Sequence, residues 1–285
     1  MALLALVVWY ADPAKLAREL AAVDARWFAA AVVASVISNL SSAARWAAIA
    51  RGLGMNAPLG PLTRMYFRGM TMNVLLPGAT VSGDLLRGYQ LAQQLGNPLL
   101  RSGLSVLLDR LSGLWILCLA SFLALVGALA AGLVDTGKEI WAYIAGLVIA
   151  LVLPWLPLPI ERAENARRQA LQSGGPILRS VWLSVLVQVF SAAALWCCGF
   201  AAGVSLSYPA MLAAAAPIFI MGALPLGWGG FGARELGSVV VLGVLGIAPE
   251  QATVTGLLYG FAAVLQGVAA APLFALTEGG GQPRS

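Results

Sequence analysis

Histidine is absent from the 285-residue chain, and charged residues make up only 10% of it. Without histidine there is no Ser-His or Cys-His nucleophile pair, no H-E-x-x-H zinc site and no histidine proton relay. A soluble domain carries about 25% charged residues, so this composition excludes an ordinary water-soluble fold. Cysteine is scarce too. Cys118, Cys197 and Cys198 lie in apolar runs, with neither metal-ligand spacing nor the even count of a disulfide framework, and read as buried packing. No metal and no cofactor is expected.

What the chain has in abundance is apolar sequence: 60% of its residues are hydrophobic, and the mean hydropathy is +0.86. This is the composition of an all-α polytopic membrane protein. The net charge is +5, and nearly all basic residues are arginine. A nucleic-acid binder would gather them on a soluble face. Here they punctuate hydrophobic segments, as topology determinants do, so no nucleic-acid partner is expected.

Two stretches break the apolar pattern in the same way. Leu76-Pro77-Gly78 is followed by Gly83-Asp84 and Arg87, and Leu224-Pro225 is followed by Gly229, Gly230, Gly232, Arg234 and Glu235. Proline and glycine stop a helix, and the residues after them start another. Broken helices at membrane depth occur only where protein or a water-filled cavity surrounds them. Two such breaks in matching halves point to a transporter's binding site. The literal G-x-G-x-x-G of residues 227–232 has no βαβ unit around it, so it reads as a bend and not as a dinucleotide site.

Taken in order, residues 1–10 are apolar but make a helix of only ~15 Å, half a bilayer core, and read as the end of a first helix. Residues 11–25 form an amphipathic surface elbow. Spans follow at 26–50, 99–134, 139–158, 176–204 and 251–276. Broken pairs fall at 58–95 and 208–246, and a Gly-rich, disordered tail occupies 277–285. The expected architecture is one transmembrane domain over 1–276: an inverted-repeat, transporter-like bundle of about six spans plus two broken or re-entrant hairpins. The halves are 24–133 and 176–276. Arg162, Arg167, Arg168 and Arg179 place the 160s loop, and with it the C-terminus, on the cytoplasmic side. The single extra span between the halves then inverts the second relative to the first.

The candidate substrate-binding residues are the charges inside or beside the breaks: Asp84, Arg87, Asp109, Arg110, Arg234 and Glu235, with Arg64 and Arg68 close by. A half-helix start offers free N–H groups and a positive dipole end, and an arginine beside it suits a phosphate. Asp84 could instead cap its helix, and the arginine could anchor at the interface. Asp109 and Arg110 are adjacent on a helix, so each must meet a different element; Arg64, Arg68, Asp84 and Arg87 are the available partners. Glu235 could carry a proton, balance Arg234 or simply cap. Gly199…Gly203 and Gly256…Gly260 suit close helix packing within the chain and are weak support for a homodimer.

The order Leu76-Pro77-Gly78, Gly83-Asp84, Arg87, Asp109-Arg110, Leu224-Pro225 and Gly229 to Glu235 resembles the lysylphosphatidylglycerol synthase transmembrane (flippase-like) family over roughly residues 25–276. The resemblance implies a bacterial inner-membrane protein that moves polar-headgroup lipids between leaflets, such as anionic or aminoacylated phospholipids or a lipid-linked intermediate. The soluble aminoacyl-transferase domain that some members carry is not expected here, and neither is lipid synthesis. No nucleotide-binding motif points to ATP hydrolysis. The alternatives are a membrane enzyme using Asp84, Asp109 or Glu235 as acid or base, and a non-transporting partner of a lipid or glycan synthase.

Overall fold

The computed structural model describes residues 12–76, 81–132, 138–152, 174–224 and 230–274, with positions 5, 7, 9 and 10 ahead of them. The expected breaks at Pro77, Gly78, Pro225 and Gly229, the arginine-bearing 160s loop and the 277–285 tail lie outside the described residues. Ten α-helices are bounded among the described residues: α1 (Pro13–Ala21), α2 (Ala25–Gly52), α3 (Leu59–Leu75), α4 (Val81–Leu95), α5 (Leu99–Ala130), α6 (Lys138–Val152), α7 (Gly174–Ala201), α8 (Tyr208–Ala223), α9 (Ala233–Val244) and α10 (Pro249–Ala270). A 3₁₀ turn, Ala271–Phe274, follows α10. The fold is that of an all-α polytopic membrane protein. Among the described residues, four helical segments are long and apolar enough to cross a bilayer: Ala25–Gly52, Leu99–Ala130, Arg179–Ala201 and Pro249–Phe274.

Local chemistry sets the helix ends. Asp12 accepts from the Ala14 N–H at 3.1 Å ahead of Pro13, and Asp24 accepts from the Arg26 N–H at 2.8 Å. Each uses one of the donors a helix start leaves unpaired. Among the described residues, five helices end on a glycine with positive φ, Gly132 after α5 and four that share one closure: Gly54 after α2, Gly96 after α4, Gly203 after α7 and Gly246 after α9. In these four the next residue reaches back five positions: Met55 to Ala50, Asn97 to Ala92, Val204 to Gly199 and Ile247 to Leu242. This is the Schellman closure, which needs a left-handed residue that glycine supplies without strain. The four ends form two pairs, Gly54 with Gly203 and Gly96 with Gly246, so the same local geometry recurs in two halves, α2–α5 and α7–α10.

Packing repeats the same correspondence. α2 lies along α7 at the centre, where Ser38 donates to the Val187 carbonyl at 3.1 Å and shares a hydrogen bond with Ser191 at 2.7 Å. Around that pair, α3 packs on α4 as α8 does on α9, and α4 on α5 as α9 on α10. Across the halves, α3 packs on α10 as α8 does on α5. Exchanging the halves leaves this packing scheme unchanged, which is the signature of an internal two-fold. α6 stands outside the scheme against α5.

Within each hairpin the two helices run antiparallel at very short range. Asn73 of α3 accepts from the Gly83 N–H at 2.8 Å and from the Ser82 hydroxyl at 3.2 Å, while a β-carbon on Gly83 would run into the Gly69 carbonyl. In the second hairpin, Gly230 has φ +81° and a β-carbon there would lie 2.5 Å from the Gly222 carbonyl. Glycine is therefore required at both positions by contact, and at Gly230 by backbone conformation as well. All three cysteines are buried.

Candidate functional site

The two hairpins enclose one cavity of about 210 Å³. From the first half it is lined by Tyr66, Asn73, Gly83, Asp84, Arg87 and Arg110, among others, and from the second by Gly222, Phe231, Arg234, Gly260 and Val264. Pockets for drug-sized ligands span ~300–1,000 Å³, so this space is smaller than a drug-sized ligand needs.

Arg87 is the buried centre of the first half. It projects from the second turn of α4, its stem against Gly69, and is 2% exposed. Its guanidinium lies 5.0 Å from the Trp46 ring and 4.8 Å from the Tyr66 ring, a two-sided cation–π cage. Trp46 is held by donation to Ser105 at 3.1 Å, and Tyr66 donates to Asn39 at 3.3 Å. Arg87 Nη2 donates to Asp84 Oδ1 at 2.7 Å. Its Nη1 stands 3.6 Å from Asp109 Oδ2, an ion pair beyond hydrogen-bond range, and has no hydrogen-bond acceptor among the described residues.

Asp84 joins Arg87 to Arg110. Arg110 donates twice to it, Nε to Oδ2 and Nη2 to Oδ1, both at 2.8 Å. This is the bidentate fork that makes arginine a carboxylate and phosphate receptor. Asp109 faces the other way, as its neighbour position on the helix demands. It accepts from Arg45 Nε at 2.8 Å and does not line the cavity. Gly113 makes room for the Arg45 guanidinium: a β-carbon there would lie 2.7 Å from Nη1.

The second half repeats the theme with weaker pairing. Arg234 stands in the first turn of α9, 7% exposed, with its stem against Gly222 and its guanidinium 5.1 Å from Phe231 and 5.9 Å from Tyr259. Nε donates to the Gly256 carbonyl at 3.2 Å, and Glu235 Oε1 lies 3.4 Å away. A β-carbon on Gly260 would overlap the Arg234 guanidinium. Glu235 itself is fully buried and accepts from the Gly232 N–H, closing its own helix start.

Of the eight charges singled out in the sequence, four line the cavity: Asp84, Arg87, Arg110 and Arg234. Asp109 and Glu235 stand behind it as partners of its arginines. Arg64 and Arg68 do not line it. Arg68 instead donates to the Leu273 carbonyl at 2.9 and 2.7 Å and lies over Phe274, fastening the 3₁₀ turn to α3. Asp84 does not act as a cap, because helix α4 already begins at Val81 and the carboxylate is spent on arginines.

Sequence reasoning passed over Arg45, Trp46, Tyr66, Asn39 and Asn73. Arg45 is one of the arginines taken together as topology determinants, yet it stands seven residues inside α2. That is about 10 Å of depth, at which an ionisable residue calls for a partner.

Among the described residues, Arg45, Arg87 and Arg110 share the two carboxylates of Asp84 and Asp109, while Arg234 pairs with Glu235. No curated protein and no solved structure matches the chain. The lysylphosphatidylglycerol synthase TM region does, over residues 1–271, and the chain belongs to that family.

Proposed function

We propose that the chain is a lipid translocase that moves an anionic-headgroup phospholipid between membrane leaflets. The family ties it to lipid biosynthesis or translocation. The observation that carries the finer reading is the shared cavity, into which each half contributes a caged arginine, Arg87 and Arg234.

Both arginines lie at similar depth. Arg87 is eight residues from the end of α4 and Arg234 ten from the end of α9, about 12 and 15 Å along their helices. With those helix ends at the bilayer surface, a hydrocarbon core of ~30 Å would put both arginines near its middle, where a translocated headgroup needs charge compensation most. The cavity takes the phosphate, which Arg110 and Arg87 bind on one side and Arg234 on the other, while the acyl chains stay in lipid. The halves are inverted relative to one another, the 160s loop and C-terminus face the cytoplasm, and the protein resides in the bacterial inner membrane. The chemistry is binding and release without bond breaking, so the chain is not an enzyme.

Purified protein in vesicles containing headgroup-labelled phosphatidylglycerol tests this. Label that changes leaflet while the lipid keeps its mass supports translocation. Label that stays put, or lipid whose mass changes, overturns it.

A further inference from the structure

Among the described residues, Asp84 is the one acidic residue lining the cavity, and it occupies the place a ligand would take. Its two oxygens receive three hydrogen bonds from Arg87 and Arg110, at 2.7, 2.8 and 2.8 Å. A phosphodiester presents the same recognition features: two equivalent non-bridging oxygens and one negative charge. Arginine binds both groups through the same fork. The carboxylate is reachable, its side chain being 20% exposed, and the Arg110 side chain is 44% exposed. Beneath it the buried Arg87 keeps a donor, Nη1, with no acceptor among the described residues. The site therefore offers more donors than its resident carboxylate uses. The other two acids of the network are differently placed: Asp109 and Glu235 are buried behind the cavity.

Resting on the anionic-headgroup reading above, we propose that Asp84 is a built-in counter-ion that fills the Arg87–Arg110 anion site and competes with the phosphodiester for it. In the empty protein it shares its one negative charge between two arginines in an apolar setting. When a headgroup enters, the phosphodiester takes the forks on Arg110 and Arg87, and Nη1 of Arg87 gains its missing acceptor. The returning carboxylate then helps to expel the headgroup. Asp84 thus sets the affinity low enough for release, which a translocase needs as much as it needs binding.

The test is binding of short-chain phosphatidylglycerol and, separately, of inorganic phosphate to detergent-purified wild-type, Asp84→Asn and Arg110→Ala proteins. Removing the competitor while keeping the side-chain shape is expected to tighten lipid binding about tenfold, equivalent to ~1.4 kcal/mol, and Arg110→Ala to lose it. Equal or weaker lipid binding by Asp84→Asn, with the wild type binding normally, overturns the competition and leaves the headgroup reading intact. No anion binding by either protein overturns both. A gain for inorganic phosphate alone keeps the competition and overturns the lipid as its ligand. Should Asp84→Asn not fold, the infrared difference spectrum of wild-type protein on adding phosphatidylglycerol decides. A shifted carboxylate stretch is expected as Asp84 leaves its fork, and an unchanged carboxylate region overturns the proposal.

Discussion

Asp109 shows how a buried charge is shared. It neutralises Arg45 at 2.8 Å and stands 3.6 Å from Arg87, with no more than a few per cent of any of the three side chains exposed. Breaking a buried pair leaves an uncompensated charge that costs about 3–5 kcal/mol. Asp109→Ala is therefore expected to lower stability by that order, read as a drop in the thermal midpoint of the detergent-solubilised protein. Arg110→Ala should cost less, because its side chain is partly exposed and Arg87 still pairs with Asp84 when it is gone.

A comparison of the two positions shows what a sequence can disclose. Adjacent Asp109 and Arg110 must point apart on a helix, and that much is legible without a structure. Which arginine each meets is not, because residue 45 pairs with residue 109 through the packing of α2 on α5. The aromatic cage of Trp46 and Tyr66 was equally hidden, since neither ring differs in sequence from ordinary core packing.

At the scale of elements, the hairpins depend on glycine contacts. Gly83→Ala would press a methyl group into the Gly69 carbonyl and Asn73. It is expected to cost ~1–3 kcal/mol by overpacking and to weaken anion binding by moving α4. Gly103→Ala, whose β-carbon meets nothing within 4 Å, is the matched control and should be neutral or stabilising, since alanine favours helix interiors over glycine by up to ~1 kcal/mol. Thermal unfolding of the two variants separates contact from propensity.

The latch formed by Arg68 makes a different prediction. Arg68→Ala should free the Ala271–Phe274 turn and raise its amide hydrogen exchange, with phosphatidylglycerol binding retained, because Arg68 does not line the cavity. The outer ends of the two broken pairs, expected at 58–95 and 208–246, were legible to within about two residues, since Gly, Pro and the caps punctuate them. The role of Arg68 was not, because an arginine inside a broken pair looks alike whether it faces a ligand or a neighbouring helix end.

For the whole molecule, the internal two-fold of helix ends and packing leaves one property for direct measurement: whether the halves face opposite sides. The loops after α2 and α7 are equivalent in the two-fold, and Asn56 and Ser205 are exposed in them. If the halves are inverted, a membrane-impermeant thiol reagent added to intact cells reaches Ser205→Cys and not Asn56→Cys, and the pattern reverses in inside-out vesicles. The native cysteines are buried and provide a low background. Labelling of both positions from one side would refute the inversion. The hydropathy order of the sequence already contained the two halves. Their packing scheme did not show there, because corresponding positions carry different residues, such as Asp84 in one half and Phe231 in the other.

Transfer of headgroup-labelled phosphatidylglycerol across proteoliposome membranes, compared between wild type and Arg110→Ala, addresses the central claim most directly. The account predicts rapid equilibration of label with the wild-type protein and loss of at least an order of magnitude in rate with the variant, while its thermal midpoint stays close to that of the wild type. Equal rates for the two proteins, or no transfer by well-folded wild type, would contradict it.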